Sequence, residues 1–149
     1  MRNVHSVVLL TFMLLLSACA QDKPEYRDVL GQPVSIKSSD KWTVIAYWAD
    51  WCVNCRSEVA SLNQLNHEPN VQVVGNYFRT VDKSLLQQLS QNMGIEFPVL
   101  ERDLKEDFGW GDLVGLPTHY VVSPDNTVYG PYKGPFHREQ LLTLIEQTA

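Results

Sequence analysis

The chain has 149 residues, with 12 Lys or Arg against 17 Asp or Glu and a formal net charge of −5. This length predicts a single domain. The acidic balance argues against nucleic acid as a partner, because binding to phosphates requires a basic surface.

The N-terminus is predicted to be an export signal that lies outside the folded domain. Arg2 supplies a positive charge, and residues 7–16 form an apolar run interrupted only by Thr11. Because a helix that crosses a bilayer needs about 20 apolar residues, this run is too short to span one. It fits the central region of a secretory signal peptide, so residues 1–18 are predicted to be removed.

Residues 16–19, Leu-Ser-Ala-Cys, resemble the lipobox of bacterial lipoproteins. The resemblance implies cleavage before Cys19 and lipid on its thiol, with residues 19–27 forming the lipidated cysteine and a polar tether. The alternative is an ordinary signal peptide followed by a coincidental cysteine. Either way, the protein is expected outside the cytosol. If the host is Gram-negative, Ala20 favours the outer membrane by the sorting rule for such lipoproteins.

Residues 28–149 are predicted to form one α/β domain. The aromatic and β-branched content and the turn residues predict strands at 34–36, 42–48, 71–77, 118–123 and 127–132. A short apolar stretch covers 97–100, and one or two helical turns are expected at 104–108. Periodicity and capping residues predict helices at 52–66, from Asp82 to Gly94, and at 137–146. This order predicts a mixed sheet with helices on both faces.

Cys52 and Cys55 are separated by two residues, and three roles are open to such a pair. A structural disulfide is disfavoured, because so small a loop removes little entropy from the unfolded chain. A zinc site needs four ligands at recognisable spacing, and the remaining histidines of the mature chain form no His-x₃₋₅-His pair. Thiol-disulfide exchange is favoured by the position of the motif.

Cys52 follows a predicted strand and opens a predicted helix. Backbone N–H groups and the helix dipole stabilise a thiolate at that position. Cys55 lies one turn further along and is expected to point inward. The pair therefore suits a two-step exchange in which Cys52 attacks a disulfide and Cys55 resolves the mixed disulfide.

Two motifs together resemble the thioredoxin superfamily. Residues 48–55, Trp-Ala-Asp-Trp-Cys-Val-Asn-Cys, are similar to its active-site segment, and residues 115–118, Gly-Leu-Pro-Thr, to its cis-proline segment. With an extra element near residues 81–107 and a membrane anchor, the chain is most similar to the TlpA/ResA/DsbE-like group. These are extracytoplasmic thiol-disulfide oxidoreductases that usually act as reductants.

The resemblance carries implications for the site and its partners. It implies a thioredoxin fold, a redox-active Cys52–Cys55 disulfide, and a cis Leu116–Pro117 bond whose preceding backbone pairs with the substrate chain. Trp51 is expected to shape the rim of the site. No cofactor is required. Disulfide-containing exported proteins, apocytochrome c among them, are the implied substrates, and a DsbD-type membrane reductase is the implied electron donor.

Glu58 is a carboxylate on an apolar helix face. At about 100° per residue, it falls between Leu62 and Leu65, one turn after Cys55. Burial favours the protonated form of a carboxyl group, so Glu58 is predicted to exchange a proton with Cys55. Relatives in the TlpA/ResA-like group often have a glutamate here, whereas Ala46 occupies the place of the buried aspartate of thioredoxins. An ordinary helix glutamate that bends out to water is the alternative.

Trp110 and His119 are two further candidates for a role in the site. Trp110, between two glycines, is predicted to contact a partner or substrate, because exposed aromatic residues often anchor interfaces; packing into the core is the alternative. His119 is predicted to be structural.

Two rival functions follow from other classes of protein. A copper-delivery module on the same fold is the main alternative, although related copper proteins use Cys-x₃-Cys with a distant histidine. A peroxiredoxin-type peroxidase is weaker, because its Pro-x₃-Thr-x₂-Cys pattern would place proline and threonine where the chain has Ile45 and Ala49.

Overall fold

The computed structural model describes residues 26–148, which form seven strands and four helices. The strands are β1 Tyr26–Arg27, β2 Pro33–Val34, β3 Trp42–Trp48, β4 Val71–Tyr77, β5 Val99–Leu100, β6 Thr118–Val122 and β7 Val128–Lys133. The helices are α1 Val53–Leu65, α2 Lys83–Met93, α3 Lys105–Phe108 and α4 Arg138–Thr148.

Five strands form a mixed sheet in the order β5-β4-β3-β6-β7. β3, β4 and β5 run parallel, whereas β6 is antiparallel to both β3 and β7. The central place of β3 follows from its sequence, since aromatic and β-branched residues pack well when both faces of a strand are covered. The predicted α/β class, the mixed sheet and the β6–β7 hairpin are confirmed.

The two faces of the sheet are covered differently, because successive strand residues point to opposite sides. Val44 and Ala46 of β3 pack in a cluster that includes residues of α1 and α4. The adjoining cluster holds residues of α2 together with both cysteines. Ile45 and Tyr47 point the other way, into a cluster with β1, β2 and Leu104, which precedes α3. The Cys52–Cys55 pair therefore lies on the face of the sheet that the longer helices cover.

The helix boundaries agree with the local capping signals. Asp82 Oδ1 accepts the backbone N–H of Ser84 at 2.8 Å and begins α2, and Gly94 ends that helix in the left-handed conformation at φ 73°. Both ends were predicted from these residue types. The last helix begins one residue later and ends two residues later than the predicted 137–146.

The first strand lies within the segment predicted to be the tether, residues 19–27. Tyr26 and Arg27 of that segment pair with Val34 and Pro33 and form β1. Tyr26 is buried in the core, which explains why this segment is ordered against the domain. Cys19 and the predicted signal segment 1–18 lie outside the described residues. Between residues 26 and 148, no helix has the length and apolar character needed to cross a membrane.

Candidate active site

Cys52 and Cys55 form a disulfide at the start of α1, with their Cα atoms 5.2 Å apart. Cys52 is the residue that caps the helix, and its Sγ accepts the backbone N–H of Cys55 at 3.1 Å. Cys52 keeps 7% of its surface exposed and Cys55 keeps 1%. The predicted position at a helix start and the inward placement of Cys55 are confirmed. The sulfur that accepts a helix N–H therefore belongs to the more exposed of the two cysteines.

The loop that leads into Cys52 is held by contacts from both sides. The Tyr77 hydroxyl donates a 2.5 Å hydrogen bond to Asp50 Oδ1, and Arg56 Nη2 donates to the Asp50 carbonyl at 3.2 Å. Burial, and then the hydrogen bond to Asp50, raises the pKa of Tyr77 to about 12. Sequence reasoning missed Asp50 and Tyr77. The alignment of the strands is the signal that could have found them. Trp48 and Tyr77 lie opposite each other at the ends of the parallel strands β3 and β4, so Tyr77 lies next to the loop that follows Trp48.

The cis-proline segment lies beside the disulfide. The Leu116–Pro117 peptide bond is cis, as the resemblance implied. Leu116 packs against the cluster that holds both cysteines, and Pro117 begins the run of buried residues that enters β6. Thr118 Oγ1 donates to the Gly115 carbonyl at 2.7 Å, which braces the turn before the proline. The two motifs singled out in the sequence therefore meet at one place.

An apolar rim surrounds the mouth of the site. Trp51 is 64% exposed, and its ring meets the Phe78 ring edge to face at 5.4 Å. Val53 and Val114 are among the most exposed apolar residues of the described chain. Trp51, Phe78 and Leu116 contribute to the lining of a groove of ≈ 430 Å³. Exposed apolar surface of this kind suits contact with another polypeptide.

Glu58 lies in the core, on the face of α1 that was predicted. It is 2% exposed, so the prediction of burial is confirmed. Its Oε1 lies 3.1 Å from His119 Nε2, and its Oε2 accepts the backbone N–H of Phe136 at 3.0 Å. Both carboxyl oxygens therefore have a partner, as a buried carboxyl group requires.

His119 is fully buried on β6 and belongs to the same group of contacts. In the sheet it lies opposite Ala46 of β3 and Tyr132 of β7. Its ring packs edge to face on Phe136 at 5.2 Å. The expectation that His119 is structural agrees with this burial, but its contact with Glu58 was missed. No local pattern could have revealed it, because the two residues are 61 positions apart.

Trp110 is packed into a stack of aromatic rings. Its ring lies 3.6 Å from the Tyr120 ring at an interplanar angle of 3°, and 4.7 Å from Phe108. It joins the core cluster on the face of the sheet opposite α1. The alternative of core packing therefore accounts for this residue, and contact between Trp110 and a substrate stays a prediction.

From residue 26 to residue 148, no three His, Cys, Asp or Glu side chains are grouped as a metal site.

The fold and the cysteine pair together define a thioredoxin-fold protein of the thiol-disulfide oxidoreductase class. Residues 18–130 match the model of the AhpC/TSA family, and the chain belongs to that family. The chain is 29% identical over 111 residues to the thiol:disulfide interchange protein DsbE of Allochromatium vinosum, and the match covers 73% of this chain and 56% of that protein. The chain thus spans little more than half the length of this relative.

Two further comparisons agree with this assignment. The thiol-disulfide oxidoreductase ResA of Bacillus thuringiensis strain Al Hakam is 25% identical over 118 residues, which cover 76% of this chain and 68% of that protein. Among solved structures, a thiol:disulfide interchange protein of the thioredoxin family from Chlorobium tepidum superposes with a TM-score of 0.65 at 22% identity. That match covers 87% of this chain and 98% of the other, and it establishes the fold.

Proposed function

We propose that the protein works outside the cytosol and reduces disulfides in exported proteins by dithiol-disulfide exchange. One observation carries this proposal: a disulfide whose two cysteines differ in burial opens α1 and lies beside the cis Leu116–Pro117 segment. The helix start stabilises a thiolate on Cys52. The deeper burial of Cys55 suits a thiol that acts only after the first step.

The reaction balances without a cofactor. The Cys52 thiolate attacks one sulfur of the substrate disulfide, the substrate S–S bond breaks, and the released thiolate takes a proton. Cys55 then loses its proton and attacks Cys52 Sγ. The Cys52–Cys55 bond forms, and the second substrate sulfur leaves as a thiolate and is protonated. Two electrons pass to the substrate, and the protein is left oxidised.

Glu58 is proposed as the group that accepts the proton from Cys55. Residues three apart on a helix are neighbours, with about 5–6 Å between their Cβ atoms. A buried carboxylate at that distance is placed to accept a proton in the resolving step. Glu58→Gln keeps the size of the side chain and removes this basicity. We expect the variant to form the mixed disulfide at the normal rate and to resolve it more slowly.

The groove beside Pro117 is proposed as the place where the substrate chain binds. The backbone before a cis proline can pair with an extended chain, which recognises little of its sequence. Trp51 and Leu116 add apolar contacts at the rim. Disulfide-containing exported proteins are therefore the proposed substrates, with apocytochrome c as one member. Because the protein ends each cycle oxidised, a DsbD-type membrane reductase is proposed to restore the dithiol.

Attachment to a membrane through lipid on Cys19 is part of the proposal. The supporting feature is the Leu-Ser-Ala-Cys sequence that ends at this residue. Labelled palmitate should appear in the wild-type protein and be absent from Cys19→Ala. In a Gram-negative host, fractionation should place the wild-type protein in the outer membrane and facing the periplasm. Wild-type protein that carries no label would contradict the anchor without affecting the redox proposal.

The central experiment is a measurement of the reduction potential of the Cys52–Cys55 pair. The protein is equilibrated in thiol-disulfide buffers, and its alkylated thiols are counted by mass. Values for such motifs span roughly −270 to −120 mV. A value well below about −200 mV supports a reductant that needs a dedicated electron supply. A value near about −120 mV would reverse the assigned direction.

Peroxide reduction and copper delivery are separated from this proposal by two controls. The family description includes AhpC, so peroxide consumption by the reduced protein should be measured beside insulin reduction. We expect insulin reduction to exceed peroxide turnover, since Ile45 and Ala49 depart from the peroxidase pattern. Stoichiometric copper binding by the reduced protein, lost in His119→Ala, would favour the copper alternative.

A further inference from the structure

Glu58 and His119 form a buried pair that lies one turn behind the resolving cysteine. Both side chains are almost without exposure, at 2% and 0%. One carboxyl oxygen of Glu58 accepts the N–H of Phe136, and the other lies against His119 Nε2. Within residues 26–148, His119 Nδ1 has no hydrogen-bond partner. Both carboxyl oxygens of Glu58 therefore have a hydrogen-bond partner, whereas one ring nitrogen of His119 has none.

The lack of a partner at His119 Nδ1 indicates which atom carries the hydrogen between His119 Nε2 and Glu58. If Glu58 donated a proton to Nε2, the neutral ring would carry its own hydrogen on Nδ1, and a buried N–H would lack an acceptor. If Nε2 carries the hydrogen and donates to an ionised Glu58, Nδ1 presents only a lone pair. Orphaned buried N–H groups are rarer than underused acceptors. The favoured state is thus an ionised carboxylate with two N–H donors, which is a proton acceptor.

The neighbours of this pair come from the sheet, from α1 and from the segment before α4. β3 presents Ala46 opposite His119, and β7 presents the phenol of Tyr132. The segment before α4 contributes the Phe136 ring and its N–H. On α1, Cys55 lies one turn before Glu58, and both residues are buried. No other ion pair to Glu58 or His119 is present in the described part of the chain.

We propose that His119 is a positioning residue of the exchange reaction and acts through Glu58. Its Nε2–H holds the carboxylate in one orientation and keeps it in the ionised, accepting form. When Cys55 gives up its proton, the pair changes from a net charge of −1 to 0, whether Glu58 or Nδ1 of His119 holds the proton. The proton then returns to solvent or to the departing substrate thiolate. This inference rests on the proposed exchange function and specifies how its second step is assisted.

The test separates the two steps of exchange in one experiment. The protein carries Cys19→Ser, so that Cys52 and Cys55 are its remaining thiols. The reduced protein is mixed with a smaller amount of the aromatic disulfide DTNB in a stopped-flow instrument. The first release of thionitrobenzoate reports attack by Cys52. The second, concentration-independent release reports resolution by Cys55. The first phase needs neither member of the pair.

Three variants distinguish positioning from general damage to the core. His119→Leu keeps bulk and removes the donor, whereas His119→Gln keeps an N–H donor that does not titrate. Val121→Ala is the matched control, since Val121 is also buried on β6 and has no polar contact with Glu58. We expect His119→Leu to slow the second phase about tenfold and leave the first unchanged. His119→Gln should recover most of the rate, and Val121→Ala should change neither phase.

A double-mutant comparison tests whether His119 acts through Glu58. In a Glu58→Gln background, His119→Leu should produce no additional slowing of the second phase. An equal further slowing would overturn the inference, as would a normal second phase in folded His119→Leu. Equal slowing of both phases, shared by Val121→Ala, would also overturn it. Wild-type protein without a second phase would instead remove the proposed function itself.

A spectroscopic measurement on the wild-type protein requires no substitution. Nitrogen-15 correlation spectra of the imidazole should show His119 hydrogen on Nε2 and a bare Nδ1 in the oxidised protein. Hydrogen on Nδ1 would overturn the inference even if the variants failed to fold.

Discussion

Tyr77, the last residue of β4, donates its hydroxyl hydrogen to Asp50 at 2.5 Å, and Asp50 lies two residues before Cys52. The contact joins a strand end to the loop that carries the attacking sulfur. Since Arg56 also holds the Asp50 carbonyl, the loop is fixed on both sides. The geometry of Cys52 therefore depends on residues outside the Cys-x-x-Cys motif.

The first prediction concerns alkaline titration. Burial and Asp50 raise the pKa of Tyr77 from 10.0 to about 12 in the folded protein. The folded state then keeps a proton that the unfolded state loses, so this stabilisation is complete below pH 10 and disappears as the pH rises through 12. Asp50→Asn should lower the pKa of Tyr77. Tyrosinate absorbance shows the shift, with Tyr77→Phe to assign the transition and Tyr132→Phe as control.

The second prediction concerns the order of attack. Cys55→Ser should accumulate a stable mixed disulfide with a peptide substrate, because the resolving thiol is absent. Cys52→Ser should form far less, since the remaining cysteine, Cys55, is 1% exposed. Intact-mass measurement after quenching with acid detects the adduct. Equal adduct formation in both variants would contradict the assignment of Cys52 as nucleophile.

The third prediction separates Trp51 and Trp110, the two tryptophans that the sequence predicts to contact substrate. Trp51→Ala should lower kcat/KM for protein-disulfide reduction about tenfold and reduce the free energy of unfolding by about 1 kcal/mol or less. Trp110→Ala should mainly lower stability and have little effect on activity. Loss of its stacked ring should cost about 2–3 kcal/mol, with kcat/KM of the folded fraction nearly unchanged. Denaturant unfolding and insulin reduction measure both quantities. A selective loss of activity in Trp110→Ala would instead support substrate contact.

The fourth prediction concerns packing beneath the site. A Cβ added to Gly75 of β4 would lie 3.0 Å from Phe97, 3.1 Å from Val99 and 3.2 Å from Trp48 Nε1. Gly75→Ala should therefore destabilise the protein by about 1–3 kcal/mol through overpacking. Gly111→Ala is the matched control, because nothing lies within 4 Å of its added Cβ. Its effect should stay within about 0.5 kcal/mol. Similar unfolding midpoints for both variants would contradict this account.

Local patterns in the sequence predict the central part of the fold well. β3 and β4 are rich in β-branched residues and each ends in an aromatic residue, α2 has a capping aspartate and a terminal glycine, and the cysteine spacing indicates the chemistry. Each of these signals lies within a few residues of the element it predicts. For the same reason the short strand at Tyr26 was missed, since two residues cannot show a period.

The contacts that complete the site are long-range and escape such patterns. The pairs Glu58–His119 and Asp50–Tyr77 join residues 61 and 27 positions apart. The first depends on where α1 crosses β6, and the second on the alignment of two parallel strands. The glycines on both sides of Trp110 favour an exposed loop, yet the Trp110 ring stacks on the ring of Tyr120. Side-chain partners of this kind are fixed by tertiary packing.

Cys52 Sγ accepts the N–H of Cys55, which is one of the free N–H groups in the first turn of α1, and this gives the helix a direct part in the redox equilibrium. A thiolate is a stronger hydrogen-bond acceptor than a disulfide sulfur, because hydrogen bonds to ionised acceptors are stronger. The N-terminus of α1 is therefore capped better when the pair is reduced and Cys52 is ionised. By thermodynamic linkage, whatever stabilises the first turn of α1 selectively in one state also shifts the reduction potential. Folding stability and the reduction potential are therefore coupled through one atom, Cys52 Sγ.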